Sequence, residues 1–356
     1  LDLLTPKQIL FFRPIIGELQ AGGHTVLATS RHYREVEQLA SLLGMSLEFS
    51  GTRGDRDPRD QLKASLERMT NLLPVVADFR PDLAVSVASA DCARLAFGLR
   101  VSHVAVNDSP HSLVAGKLSL PLSSHLLCPW VIPYSAWYRF GLRRPEITRY
   151  RALDPAAWLK RTPISTEGPG PGARHRPTIL VRLEESYAPY MVGTDESWAG
   201  RVLERLASEF REYRLVALCR YPDQLEKVRQ KFGHVFEVPE RVVDGAAAIR
   251  SSDVFIGMGG TMTTEAALIG VPTISAFQGR GLYTERYLLS KRLLLKTQNL
   301  DTLTRYVKRS LREDYRAQCS RRAKRVLDSM EDPVERVVRF LTSTGAGAAS
   351  PKSSKR

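Results

Sequence analysis

The sequence is short of cysteine, and what it has is scattered. Cys92, Cys128, Cys219 and Cys319 form no C-x-x-C pair, which excludes a disulfide-built scaffold and leaves four buried or incidental thiols in a reducing compartment. Long apolar runs are missing too. The longest uncharged stretch, Leu118 to Tyr138, is interrupted by Pro121, Pro129 and Pro133 and cannot form a membrane-spanning helix. No signal peptide opens the chain, so a cytoplasmic protein is expected, with docking on a membrane face left open. Histidines are few and never paired at i, i+4, and no carboxylates cluster at close spacing, so neither a metal site nor a cofactor is expected. His32, His103, His125, His175 and His234 read as ordinary surface or core residues. Zinc-finger spacings and an aromatic RNP-type strand are absent, which argues against a nucleic-acid partner.

Acid is also in short supply: 38 Asp and Glu face 52 Lys and Arg, giving a net charge of +14 and a pI near 9.8. That excess suits a protein resting on anionic lipid or an enzyme for anionic substrates, and equally a generally basic surface. With 356 residues, 43% of them hydrophobic and 25% charged, the chain can build about two ordinary globular domains.

What is present is organised around Asp253 to Ser275. Val254-Phe-Ile256 reads as a buried parallel strand running into the turn Gly257-Met-Gly-Gly-Thr261, and a helix starting near Thr261 stops at Gly270 and Pro272. Thr273-Ile-Ser275 is the next strand. Such a βαβ unit aims the N–H groups of Gly259, Gly260 and Thr261, and the positive end of a helix dipole, at a phosphate. Glu265 is no capping-box acid, because it follows Thr261 by four residues rather than three. It could accept both hydroxyls of a ribose beyond the phosphates, or be a solvated helix-terminal charge.

Gly259-Gly-Thr-x-x-x-Glu265-Ala-x-x-x-Gly270-x-Pro272 resembles the nucleotide-sugar motif of GT-B glycosyltransferases and UDP-N-acetylglucosamine 2-epimerases. More closely, the chain resembles a largely archaeal family of unknown function, domain of unknown function 354, in that superfamily. The residues that carry this are Thr5-Pro-Lys-Gln8, Phe11-Phe12-x-Pro14, Gly23-His24-x-Val26, Thr29-x-Arg31, Asn107-Asp108-x-x-His111 and the stretch above. They span residues 1 to about 340. The resemblance implies an α/β, GT-B-like fold of two Rossmann-like doubly wound domains facing a cleft. The expected layout is an acceptor-side domain over 1–161, a nucleotide-sugar domain over 178–330, and a crossing helix over 331–342.

In chain order, Leu1 to Leu4 looks like the latter half of a strand whose beginning is missing. Thr5 to Gln8 is read as a loop where Lys7 or Gln8 could touch a ligand, or where Lys7 is merely exposed. Helices are expected over 31–44, with Val36, Leu39, Leu42 and Leu43 inward, over 62–79 with an interruption at Pro74, and over 89–98. Strands are expected over 24–29, 45–50, 83–87, 102–106 and 126–132. Asn107-Asp108-Ser-Pro-His111 follows one of them at its carboxyl end, where open α/β sheets bind ligands. Asp108 and His111 there are plausible acid–base partners or simply good turn chemistry. Residues 134–160 read as a transition region with five arginines, and 162–177, with Glu167-Gly-Pro-Gly-Pro-Gly172, as the linker. The second domain alternates strand and helix from Thr178. The loop Ala276 to Gly281 puts Gln278 and Arg280 near a sugar or diphosphate, one basic helix runs from Thr302 to Met330, and 343–356 forms a disordered basic tail.

Three functions follow. The leading one is a metal-independent glycosyltransferase using a UDP-sugar or similar nucleotide-diphosphate sugar, its leaving diphosphate held at Gly259, Gly260 and Thr261 with Arg280 or Arg182 adding charge. Asp108 or His111 would activate the acceptor, which could be a glycan or a lipid carried on a membrane. That membrane would be touched through Arg139 to Arg151 or Arg321 to Arg325. The second is a sugar-nucleotide epimerase, from whose pattern Arg182-Leu-Glu-Glu185 departs. The third is a nucleotide-sugar sensor without turnover.

Overall fold

The computed structural model describes residues 1–54, 57–161, 176–184, 198–240, 244–279 and 281–348. The chain divides into two compact units: unit 1 joins Leu1–Trp158 to Glu331–Arg356, and unit 2 is Leu159–Met330.

Unit 1 contains strands β1 (Thr29–Ser30), β2 (Glu48–Phe49), β3 (Leu83–Ser86), β4 (Ser102–Val106), β5 (His125–Pro129) and β6 (Ile147–Tyr150). All pairings are parallel. Asp2 bridges Thr29 on one side and Ser86 on the other, so residues 1–4 occupy the place of a first strand between β1 and β3. The order is therefore that of a doubly wound sheet, with helices Pro6–Ala21, Arg34–Leu42, Pro58–Phe79 and Ala90–Gly98 as crossovers. Asp2 is also the hub of a buried polar network. Its carboxylate accepts from Arg68 Nη2 at 2.6 Å, Ser89 Oγ at 2.6 Å and Thr29 Oγ1 at 2.8 Å. Arg68 in turn reaches Asp91 at 3.1 Å and the carbonyl of Ser50 at 3.1 Å. A guanidinium that is 1% exposed survives in the core because every one of these oxygens answers it.

Unit 2 contains β7 (Thr178–Arg182), β8 (Arg214–Leu218), β9 (Phe236–Glu237), β10 (Val254–Gly257), β11 (Thr273–Ser275) and β12 (Leu294–Lys296) in the order β12-β11-β10-β7-β8-β9, again all parallel. Alternate residues of β7 serve opposite cores. Ile179 and Val181 pack with Trp198, Val202, Leu206 and Val307, while Leu180 packs with Ile249, Phe255 and Ala266. A strand covered on both faces needs a continuous apolar run, which is what Thr178 to Val181 supplies. Both units are Rossmann-like, and the chain is GT-B-like in class.

Several elements differ from the sequence reading. Leu42 is 62% exposed, because the inward face of its helix runs through Val36, Leu39 and Ala40 and position 42 turns away from it. Pro74 lies inside the helix Pro58–Phe79 without ending it. The supposed transition region holds β6, an edge strand whose two central residues, Thr148 and Arg149, are polar and hide its period. Helix Tyr283–Ser290 and β12 were not foreseen, and the basic helix is two, Leu300–Ser310 and Glu313–Asp328. Arg312 between them is extended, and Glu313 and Asp314 open the second helix where its dipole favours acid. The last helix, Pro333–Ala348, packs on Pro6–Ala21 and continues past residue 343, so the tail cannot begin there. Leu159–Arg161 falls with unit 2 rather than with the first domain, since Lys160 donates to the carbonyls of Leu327 and Met330. The linker residues 162–175 lie outside the described residues, as do 349–356.

Candidate functional site

In unit 2, β10 ends at Gly257 and the chain turns through Gly259 and Gly260 into the helix Thr261–Ile269. Gly259 has φ +107° and Gly260 φ +83°, a region that disfavours any side chain. Gly257 is required for a different reason: a Cβ there would lie 2.1 Å from Thr263 Oγ1. Gly260 is the N-cap and offers no side chain to the first amides of the helix, so backbone N–H groups and the positive dipole end stand at the carboxyl edge of the sheet. At the other end Gly270, φ +97°, closes the helix against Ser320 and Ala323.

The sequence-nominated residues of this unit gather around that turn. Gly257 and Arg182 are register partners on β10 and β7, and Arg182 Nη1 donates to the carbonyl of Cys219 at 3.0 Å. Glu265 is 2% exposed, so it is not the solvated helix charge that its position allowed. Phe277 lies against Gly259, which brings the loop 276–279 and Gln278 beside the turn. Arg280 lies outside the described residues. That loop is held by a network the sequence did not disclose. Glu285 accepts from Ser275 Oγ and from Lys296 Nζ, both at 2.6 Å, and Lys296 also reaches the carbonyl of Gly279 at 3.4 Å and lies over the Phe277 ring. Finding it required the unforeseen helix Tyr283–Ser290 and β12.

Unit 1 carries a second constellation. Lys7 is in the first turn of the helix Pro6–Ala21, not in a loop, and Gln8 turns back to accept from the Leu4 amide at 2.5 Å. The Lys7 ammonium bridges two carboxylates, 2.6 Å from Asp108 Oδ2 and 2.7 Å from Asp154 Oδ2. Lys7, nominated for the nucleotide, is therefore held by two acids of its own unit. Tyr150 donates to Asp154 Oδ1 at 2.6 Å and Ser109 to Asp108 Oδ1 at 2.8 Å. The Asn107 side chain accepts from the Ser109 amide at 2.8 Å, which fixes the turn that presents Asp108.

The two acids are not equivalent. Burial alone would raise both pKa values, but Asp108, whose side chain is 20% exposed, is carried below the usual carboxylate range by the charge and hydrogen bond of Lys7 and by Ser109. Asp154, only 5% exposed and facing the Asp108 charge as well, stays above that range despite Lys7. Lys7 is desolvated, yet the two acids raise it above an ordinary lysine, and burial beside Asp154 raises Tyr150 well above an ordinary phenol. His111 is lowered by burial, with Lys7 and Arg139 adding to the effect and Asp108 opposing it, so its imidazole is neutral near pH 7. Two neighbouring carboxyls whose pKa values are pushed apart can divide the roles of base and acid. Asp154 and Tyr150 were missed because β6 was. Once Ile147–Tyr150 is a parallel strand, Asp154 follows at its carboxyl end, the same edge as Asp108. Among the described residues no group of three or more His, Cys, Asp or Glu is placed to hold a metal ion, and no helix is long and apolar enough to cross a membrane.

The fold defines a GT-B-like α/β protein. Residues 1–343 match the family described as "Protein of unknown function (DUF354)", and the chain belongs to that family. It is 24% identical to the uncharacterized protein MJ0665 of Methanocaldococcus jannaschii over 325 residues, covering 87% of this chain and 91% of that protein. Among solved structures it is similar to the UDP-GlcNAc 2-epimerase of Methanocaldococcus jannaschii in complex with UDP-GlcNAc and UDP, with TM-score 0.72, 15% identity, and 96% and 98% of the two chains covered. It is also similar to the spinosyn rhamnosyltransferase SpnG, with TM-score 0.57, 17% identity, and 96% and 99% covered. At these identities the likeness to solved structures is one of fold.

Proposed function

We propose that the protein is an enzyme that binds a nucleotide-diphosphate sugar, UDP-linked, and transfers its sugar to an acceptor. The observation that carries this is the uncapped glycine turn at the carboxyl edge of β10, with Arg182 beside it and a carboxylate, Glu265, buried one turn into the helix. In this reading the amides of Gly259, Gly260 and Thr261 hold the diphosphate, Glu265 accepts the ribose hydroxyls, and Gln278 with Arg280 serves the sugar end. Asp108 takes the proton of the acceptor hydroxyl as the bond from sugar to diphosphate breaks, and Asp154, with His111 three residues beyond Asp108, adjusts the proton balance. This reading calls for no metal or further cofactor, because backbone donors and arginine offset the negative charge that develops on the leaving group. The fold shared with the M. jannaschii epimerase complex, whose ligands are UDP-GlcNAc and UDP, supports the nucleotide half of the reading. A cytoplasmic location with contact at the inner membrane face belongs to the same proposal, motivated by the net charge of +14.

A second reading, a UDP-sugar epimerase, is favoured by the lysine-bridged pair Asp108 and Asp154, since abstraction and return of a carbon-bound proton calls for one acid and one base. One experiment divides the readings. Incubation with UDP-GlcNAc in D2O should release UDP only when a lipid or glycan acceptor is added if the protein is a transferase. Deuterium incorporation at the sugar carbon would mark an epimerase. Calorimetric UDP binding with neither outcome would mark a nucleotide-sugar sensor, and absence of UDP binding would remove the nucleotide reading altogether.

A further inference from the structure

Unit 1 exposes large apolar side chains on two helices that pack against each other, Ala90–Gly98 and Leu113–Ser119. Phe97 is 64% exposed and Val114 63%, and Leu113 and Leu118 are nearly half exposed. Gly116 faces the Phe140 ring so closely that any Cβ would strike it, which brings the turn Ser135–Tyr138, with exposed Tyr138, alongside. Arg94 and Arg100, three residues either side of Phe97, and Lys117, beside Leu118, are exposed as well. From Cys92 to Ser119 the chain contains one acid, Asp108, and that acid is paired with Lys7.

Among the described residues, the other candidate surfaces do not combine these properties. Leu62, Leu66 and Leu73 are exposed on the helix Pro58–Phe79, but they share it with exposed Asp60, Glu67 and Asp78. Four of the five arginines from 139 to 151 are engaged at home: Arg139 donates to the Pro110 carbonyl, Arg143 pairs with Glu146, and Arg144 and Arg149 lie over the Tyr134 ring. The basic helix Glu313–Asp328 exposes no large apolar side chain.

We propose that the face formed by Phe97, Leu113, Val114 and Leu118, with Arg94, Arg100 and Lys117, docks on an anionic lipid surface. Apolar side chains entering the interface and cations meeting phosphate headgroups are the two contributions that such binding requires together. A second copy of the chain fits less well, because a two-fold contact would oppose Arg94, Arg100 and Lys117 to the same cations. The helix Leu113–Ser119 begins two residues beyond His111, so the same face leads from the acid–base cluster to the membrane. This inference rests on the membrane part of the proposed function and is independent of its nucleotide part.

The test is co-sedimentation of the full chain with vesicles of phosphatidylcholine containing phosphatidylglycerol, against vesicles of phosphatidylcholine alone. The protein should sediment with the anionic vesicles at about 0.05 M salt and be released at about 0.5 M, where charges are screened within a few ångströms. The double variant Phe97→Asp/Val114→Asp should lose about tenfold or more in vesicle partition, and Arg94→Glu/Lys117→Glu a similar factor. All these side chains are exposed, so melting curves and UDP titrations should match the parent. No sedimentation of the parent at low salt would overturn both this surface and the membrane contact while leaving UDP binding to be judged separately. Parent-like sedimentation of both variants would place the contact elsewhere. A dimer in light scattering that Phe97→Asp/Val114→Asp dissolves would make the face a self-association surface and overturn the proposal as well.

Discussion

Replacing Lys7 by Met removes the cation that bridges Asp108 and Asp154 while nearly keeping the length of the side chain. Taking one partner from a buried ion pair costs about 3–5 kcal/mol, because a charge is left without compensation. Here the lower end applies, since Asp108 keeps 20% exposure. About 3 kcal/mol at pH 8 corresponds to about 6–12 °C of melting temperature for a unit of this size. The pH dependence carries the information. In the parent, Asp108 has a lowered pKa, so its contribution is complete above the unfolded carboxylate value near 4 and is lost as pH falls through the folded value. Asp154 has a raised pKa and acts in the opposite direction, costing stability as pH climbs from about 4 through its folded value. Without Lys7 burial raises both acids, so Lys7→Met should lose stability steadily from pH 4 to pH 8. Its deficit against the parent should be small at pH 4 and largest at pH 8. Thermal melts of the two proteins across that range measure it, and an equal deficit at both ends would show that lost packing, not charge, is what Lys7 supplies.

Other outcomes follow from the same geometry. Glu265→Gln keeps the shape of a buried side chain but removes its charge, and UDP affinity by calorimetry should fall about tenfold, equivalent to 1.4 kcal/mol; an unchanged affinity would assign Glu265 a purely structural part. Gly257→Ala should cost about 1–3 kcal/mol in urea unfolding through overlap with Thr263 Oγ1, and adding Thr263→Ala should recover part of it. Failure of that rescue would mean the Phe255 ring, 3.0 Å from the same Cβ position, is what the glycine accommodates. Asp108→Asn should leave UDP affinity unchanged and lower turnover about 10²-fold, as expected for loss of a positioned base, so a large loss of UDP affinity in the folded variant would refute the role given to it. His103, held between Ser86 and Ser123 and pushed by burial down to about 4, should stay neutral in NMR titrations above pH 5. Stability should decline as pH falls from the unfolded histidine value of about 6.5 toward 4, because only the unfolded chain takes up the proton there.

How much the sequence disclosed depended on whether a signal was local. Val254 to Ser275 was legible because an apolar strand, positive-φ glycines and a Gly-x-Pro stop all sit within one βαβ unit. The Asn107 to His111 turn was legible as the carboxyl end of a buried strand. Asp154 was not, because it depends on β6, whose Thr148 and Arg149 disguise an edge strand. The Glu285 and Lys296 support was hidden for the same reason, and Lys7 could be named but not placed, since its partners are about 100 and 150 residues away. Burial is likewise a tertiary property: nothing in the spacing of Thr261 and Glu265 distinguishes a solvated helix charge from one enclosed at 2% exposure.

The position of residues 1–4 has a consequence for how unit 1 comes apart. The Asp2 amide donates to Val85, the Leu3 amide to Thr29, and the Asp2 carboxylate holds Arg68, Ser89 and Thr29. These residues join the β1–β2 pair to the β3–β6 sheet, so they cannot detach without parting the sheet along its middle. In native-state hydrogen exchange the amides of Asp2 and Leu3 should therefore exchange as slowly as those of β4. Their opening should carry the denaturant dependence of global unfolding rather than of a local fluctuation.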